Sequence, residues 1–125
     1  MPQSRPVFLN IAAIRFPVAA ITSILHRVSG VVLFLALPFF LWQLSALAGG
    51  AKAFNAMQAT LQAMPLKIIH WAVLSSVAYH VLAGLRHLMM DFGVGITRCG
   101  AQRSAWCMLV LALGAVLFLG WRIVC

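Results

Sequence analysis

The sequence predicts an all-α membrane protein: three transmembrane helices and an N-terminal interfacial arm, forming one anchor domain over residues 1–125. Three observations predict it. The chain is 64% hydrophobic and 8% charged, more apolar surface than a soluble domain of 125 residues can bury, so lipid must solvate most of it. Apolar stretches at about 22–47, 66–91 and 105–123 are each long enough to cross a bilayer. Nine basic residues face a single acid, Asp91, and they sit at the ends of these stretches or between them. That placement is the pattern of a protein facing anionic headgroups, and it argues against nucleic acid as the partner.

The arm covers residues 1–22. Phe8, Leu9, Ile11, Ile14 and Phe16 supply apolar surface between Arg5 and Arg15, and Pro17 interrupts any short helix. No sustained apolar core or small-residue cleavage site follows, so no cleavable signal is expected. The first span begins near Thr22 and runs to Leu47, with Pro38 expected to kink it. Its opening holds Ser23, His26, Arg27, Ser29 and Gly30, and Ser23 and Arg27, at i and i+4, can reach one pocket. Residues 48–66 carry Phe54, Met57, Leu61 and Met64 at helical spacing, the pattern of a short amphipathic helix on the membrane surface. The second span runs from Leu66 to Asp91, with His70 and Trp71 expected in the interfacial belt and Arg86 expected to snorkel toward water. Residues 92–104 read as a short loop. The third span, from about 105 to 123, has no ionisable residue in its middle, and Gly114 and Ala115 suit helix packing there.

The stretch from His80 to Asp91 organises the rest. Lys67 to His80 is thirteen residues, about 20 Å of helix, and Asp91 is about 16 Å further on. His80 therefore lies half-way through a span, where an unsatisfied imidazole is costly and an ionisable residue points to a functional site. His80, Gly84, His87 and Asp91 fall within roughly 60° of arc on the wheel. Small neighbours (Ser76, Ala83 and Gly84) let a helix or a flat ligand approach the backbone. On spacing alone, a hydrogen-bonded packing histidine and a haem ligand both fit His80. His87 and Asp91, at i and i+4, can satisfy one another.

Three spans place the termini on opposite sides. Arg5, Arg15, Arg27, Arg86, Arg98 and Arg103 lie on one side, and Lys52, Lys67 and Arg122 on the other. The positive-inside rule puts the N-terminus in the cytoplasm. His26, Arg27, His87 and Asp91 then gather at the inner ends of two helices, with His80 deeper. A haem held at His80 can direct its propionates toward His26 and Arg27, where charge pairing offsets their desolvation. No second histidine is expected to face His80 at equal depth, so a six-coordinate haem would take its second ligand from another subunit. Cys99, Cys107 and Cys125 form no Cys-x-x-Cys pair and no Cys-x-x-Cys-His site, which excludes a c-type haem on this chain but not a b-type one.

Two motifs resemble a known family. The first runs from Arg5, Pro6 and Val7 through Ile11, Ile14, Arg15, Phe16, Pro17 and Val18 to Ser23-x-x-His26-Arg27-x-Ser29-Gly30. The second is His80-x-x-x-Gly84-Leu85-Arg86-His87-Leu88-x-Met90-Asp91, with Phe92 and Gly93 after it. In order and at this separation they are similar to the cytochrome b subunit of succinate dehydrogenase, the larger membrane anchor of respiratory complex II, in its bacterial form. The resemblance implies that His80 is an axial ligand of haem b, with the other ligand supplied by a second anchor subunit. It implies that His26 and Arg27 lie by the haem propionates, and that Ser23 and Arg27 line a ubiquinone pocket shared with the iron–sulfur subunit and the second anchor. It implies that FAD and the iron–sulfur clusters belong to partner subunits, and that a flavoprotein partner oxidises succinate. It also implies residence in the bacterial inner membrane. The resemblance further implies a chain that is non-catalytic alone, as a subunit of a succinate:quinone oxidoreductase.

Two other readings remain on the residues alone. A fumarate reductase anchor uses the same parts in reverse, and direction depends on partners and quinone potential. A structural or anionic-lipid-binding scaffold leaves His80 as a packing residue. Haem separates the scaffold from the cytochrome reading.

Overall fold

The computed structural model describes residues 16–124. These form five helices: α1 (Val18–Leu35), α2 (Leu37–Ala48), α3 (Gly50–Leu61), α4 (Met64–Asp91) and α5 (Arg98–Val124). Helices α1, α4 and α5 are each long and apolar enough to cross a membrane. All but the last residues of the expected N-terminal arm lie outside the described residues.

The first span starts earlier than its composition suggests. Pro17 is extended (φ −64°, ψ 151°) and caps α1, so Val18 opens the helix and His26 lies two turns inside it. Pro38 divides the apolar run as expected, leaving Ala36 between α1 and α2. The ladder nearly continues across this break, because the Ala36 amide bonds to Val32 O at 2.9 Å and Phe40 bonds to Ala36 O at 3.1 Å. The ladder lapses over residues 37–39, around the proline that has no N–H to give.

Helix α3 is the expected amphipathic helix, and it folds back on α2. Gly50, at φ +80°, makes the reversal that a Cβ would strain. Met57 and Leu61 then bury against Ala46, flanked by Phe39, Phe54 and Leu66.

Helix α4 packs against both α1 and α5. Against α5, Ala83 meets Met108 and Ala112, all buried, with Tyr79, Leu82 and Leu109 around them. Helix α5 begins seven residues before the expected start. Gly93 and Gly95 take positive φ and turn the chain, and Thr97 Oγ1 accepts from the Gly100 amide at 3.1 Å. The residues expected as a loop are therefore helical from Arg98 onward.

Arg86 and Gly114 depart from expectation, Arg86 because α5 runs beside the end of α4. Arg86 does not snorkel: it is buried, donating from Nε to Ser104 Oγ and from Nη2 to Ala101 O, both at 3.1 Å. Trp71 also finds a partner on α5: its Nε1 donates to Val116 O at 2.9 Å, over the bare backbone of Gly120. Gly114 faces open space, and packing falls to Ala105, Met108 and Ala112 instead. Thr22, fully buried, completes the other seam, where its carbonyl accepts the Tyr79 hydroxyl at 3.1 Å.

Candidate functional site

The seam between α1 and α4 collects three of the four histidines of the chain. His26 comes from α1, and His80 and His87 from α4. The His26 and His80 rings lie 4.2 Å apart at 31°, and the His26 and His87 rings are stacked at 5.0 Å and 22°. A cavity of about 450 Å³ opens beside them, lined by His26, His80, Val81, Gly84, Leu85, His87 and Leu88. Its size falls in the range of small-ligand pockets.

Two glycines make this approach possible. A Cβ on Gly30 would meet His80 Cε1 at 3.2 Å, and one on Gly84 would stand 3.6 Å from His26 Nε2. Each helix thus offers bare backbone to a histidine of the other.

Ser29 orients His80. Its hydroxyl donates to His26 O at 2.7 Å, one turn back on α1. A hydroxyl has one proton, so toward His80 Nδ1, 2.9 Å away, Ser29 Oγ offers only its lone pairs. His80 therefore carries its proton on Nδ1, and in the neutral ring Nε2 keeps a free lone pair. A buried seryl oxygen on one ring nitrogen, with the other nitrogen available, is how proteins prepare an imidazole to bind a metal.

His87 is held in the same tautomer. Its Nδ1 donates to Ala83 O at 2.7 Å, leaving Nε2 to accept the Ser23 hydroxyl at 3.4 Å. His87 and Asp91 do not pair, since the bonds of His87 go to Ala83 and Ser23 and Asp91 is exposed. Asp91 shares a helix face with His80 but does not line the cavity.

The structure thus brings together Ser23, His26 and His80 of the residues expected from sequence, and adds Ser29 and His87. The depth expectation for His26 is corrected, because α1 opens at Val18 and carries the ring against His80. The contact is ring on ring, and His26 Nε2 is buried with no hydrogen-bond partner. Arg27, next along α1 and about 100° further round, is exposed and does not line the cavity. The signal for Ser29 was present in the sequence: a hydroxyl three residues after His26, followed by glycine. Among the described residues, no group of three His, Cys, Asp or Glu side chains can hold a bare metal ion. What the cluster offers is one oriented imidazole nitrogen beside a flat-walled, mostly apolar cavity.

Residues 1–119 match the family described as succinate dehydrogenase/fumarate reductase transmembrane subunit. The chain belongs to that family. Among relatives, it is 36% identical to the succinate dehydrogenase cytochrome b556 subunit of Coxiella burnetii, over 96% of this chain and 97% of that one. It is 33% identical to the cytochrome b556 subunit of Paracoccus denitrificans, over 82% and 78% of the two chains. It is 31% identical to the cytochrome b560 subunit of Reclinomonas americana, over 87% and 79%. The family expected from the two motifs is the family found, and it makes this chain a multi-pass membrane subunit of complex II.

Proposed function

We propose that this chain is the haem b-binding anchor of a succinate dehydrogenase and forms part of the site where ubiquinone is reduced. The observation that carries the reading is the Ser29–His80 pair, which leaves His80 Nε2 free beside the cavity. The donor set fits a haem. An imidazole is a common axial ligand, Gly84 keeps the cavity wall low, and the orphaned His26 Nε2 offers a polar contact to a propionate. When bound, the haem supplies a one-electron store close to the quinone.

In this reading His80 would hold the haem iron through Nε2, and a second anchor subunit would supply the other ligand. His26 and Arg27 meet the propionates. Ser23 and Arg27 serve the quinone: the hydroxyl donates to a carbonyl oxygen as it gains charge, and the guanidinium supplies a fixed positive potential. In the free chain that proton goes to His87 Nε2 at 3.4 Å, so donation to a quinone carbonyl requires the Ser23 hydroxyl to rotate away from His87. With Nδ1 committed to Ala83, His87 Nε2 can only accept from Ser23. FAD and iron–sulfur clusters reside in the partner flavoprotein and iron–sulfur subunits. The N-terminus is cytoplasmic in a bacterial inner membrane, by the excess of arginine at that end.

The test is the haem content of the assembled complex, per flavin, for His80→Ala and His87→Ala. His80→Ala should lose the haem and His87→Ala should keep it. Full haem in a correctly assembled His80→Ala complex would contradict the assignment.

A further inference from the structure

A polar cavity lies at the other end of the bundle, lined from α2, α3, α4 and α5. It has a volume of about 500 Å³, and its polar walls are Gln43, Gln58, Gln62, Lys67, His70 and Arg122. Phe54, Met57, Leu61 and Ile123 supply the apolar remainder.

Four features define its occupant. First, Lys67 and Arg122 contribute two cations, and no acidic side chain balances them. The sole acid of the chain, Asp91, is 24 residues along α4 from Lys67, about 36 Å away. Second, the wall is rich in N–H donors, and Gln43 Nε2 is buried without a hydrogen-bond partner. Such a donor is costly to leave unpaired and calls for an acceptor in the cavity. Third, the cavity sits at the ends of two membrane-spanning helices, at headgroup depth, because Lys67 is in the first turn of α4 and Arg122 in the last turn of α5. Fourth, the helices leading away from it carry apolar side chains outward: Leu41 and Leu44 on α2, Leu117 and Trp121 on α5 are each about 60% exposed. An occupant with oxygen acceptors, negative charge and long apolar tails satisfies all four.

We infer that this cavity binds the phosphate headgroup of an anionic phospholipid, with Lys67 and Arg122 pairing the phosphate, Gln43 donating to its oxygens, and the acyl chains lying along α2 and α5. Helix α3 closes the site by folding back over α2, which gives the short amphipathic helix a binding role beyond anchoring. The inference is independent of the haem and quinone reading, because it uses none of the same residues.

The experiment is native mass spectrometry of the whole complex, purified with its partner subunits and exchanged into detergent carrying either phosphatidylglycerol or phosphatidylcholine. The wild-type complex should retain phosphatidylglycerol in preference. A Lys67→Gln, Arg122→Gln double variant should retain it about thirtyfold less well, at about 1 kcal/mol for each cation near the surface. Arg98→Gln, at the opposite end, should retain it fully, and Lys67→Arg should retain it nearly so. Inorganic phosphate at millimolar concentration should not displace the lipid. Equal retention of the two lipids, undiminished retention by an assembled double variant, or displacement by free phosphate would each overturn the assignment.

Discussion

Ser29 Oγ and His80 Nδ1 stand 2.9 Å apart across the seam between α1 and α4. Because Ser29 spends its proton on the His26 carbonyl, the pair fixes both the rotation and the tautomer of the imidazole. A residue 51 positions away in sequence thus decides which nitrogen of His80 is available.

Ser29→Ala should therefore weaken haem retention without abolishing it, by roughly tenfold to a hundredfold, the usual cost of losing a hydrogen bond to a metal-bound histidine. Ser29→Thr, which keeps the hydroxyl, should retain haem far better than Ser29→Ala. Haem loss to an apo-haem-binding acceptor, timed by absorbance, measures both.

Gly30→Ala tests the packing that brings the ring into place. The new Cβ would stand 3.2 Å from His80 Cε1, tighter than most contacts of its kind. The ring or the helix must shift by a few tenths of an ångström, and the b-type absorbance should change in position or intensity. Gly30→Leu should abolish it. An unaltered spectrum in Gly30→Leu would show that α1 does not approach His80 in the assembled complex.

Ser23→Ala, in the proposed quinone site, should lower succinate-driven ubiquinone reduction by about a hundredfold, the loss typical of a donor aimed at developing charge. Reduction of a soluble dye that takes electrons before the quinone should be unaffected. A parallel fall in both activities would point to an assembly defect.

Arg86→Ala should loosen α4 from α5. It removes the donors to Ser104 and Ala101, and hydrogen bonds from a charged group contribute about 1.5–3 kcal/mol. The temperature at which the purified complex dissociates should fall. Trp71→Phe removes a single neutral bond to Val116 and should cost about 1 kcal/mol or less.

Much of this architecture was legible in the chain. The three spans, the break at Pro38 and the amphipathic α3 follow from length, proline chemistry and apolar spacing. The place of His80 well inside the second span was legible from its distance to the ends of that span. What could not be read was which partner each polar residue finds, because that depends on how α1, α4 and α5 rotate against one another. Arg86 looked like a snorkelling side chain because nothing in its own helix shows that α5 runs beside it from Arg98. His87 looked paired with Asp91 because i and i+4 neighbours are visible in sequence, whereas Ser23 across the seam is not. The early start of α1 was masked by Pro17, a helix breaker that here serves as the cap.

The most direct test of the central claim is a dithionite-reduced minus oxidised spectrum of membranes containing this chain with its partner subunits, wild type against His80→Ala. The account predicts a b-type signal in the wild type that is lost or altered in His80→Ala while the complex still assembles. An unchanged signal in the assembled variant would contradict it, and would place the haem ligand on another residue.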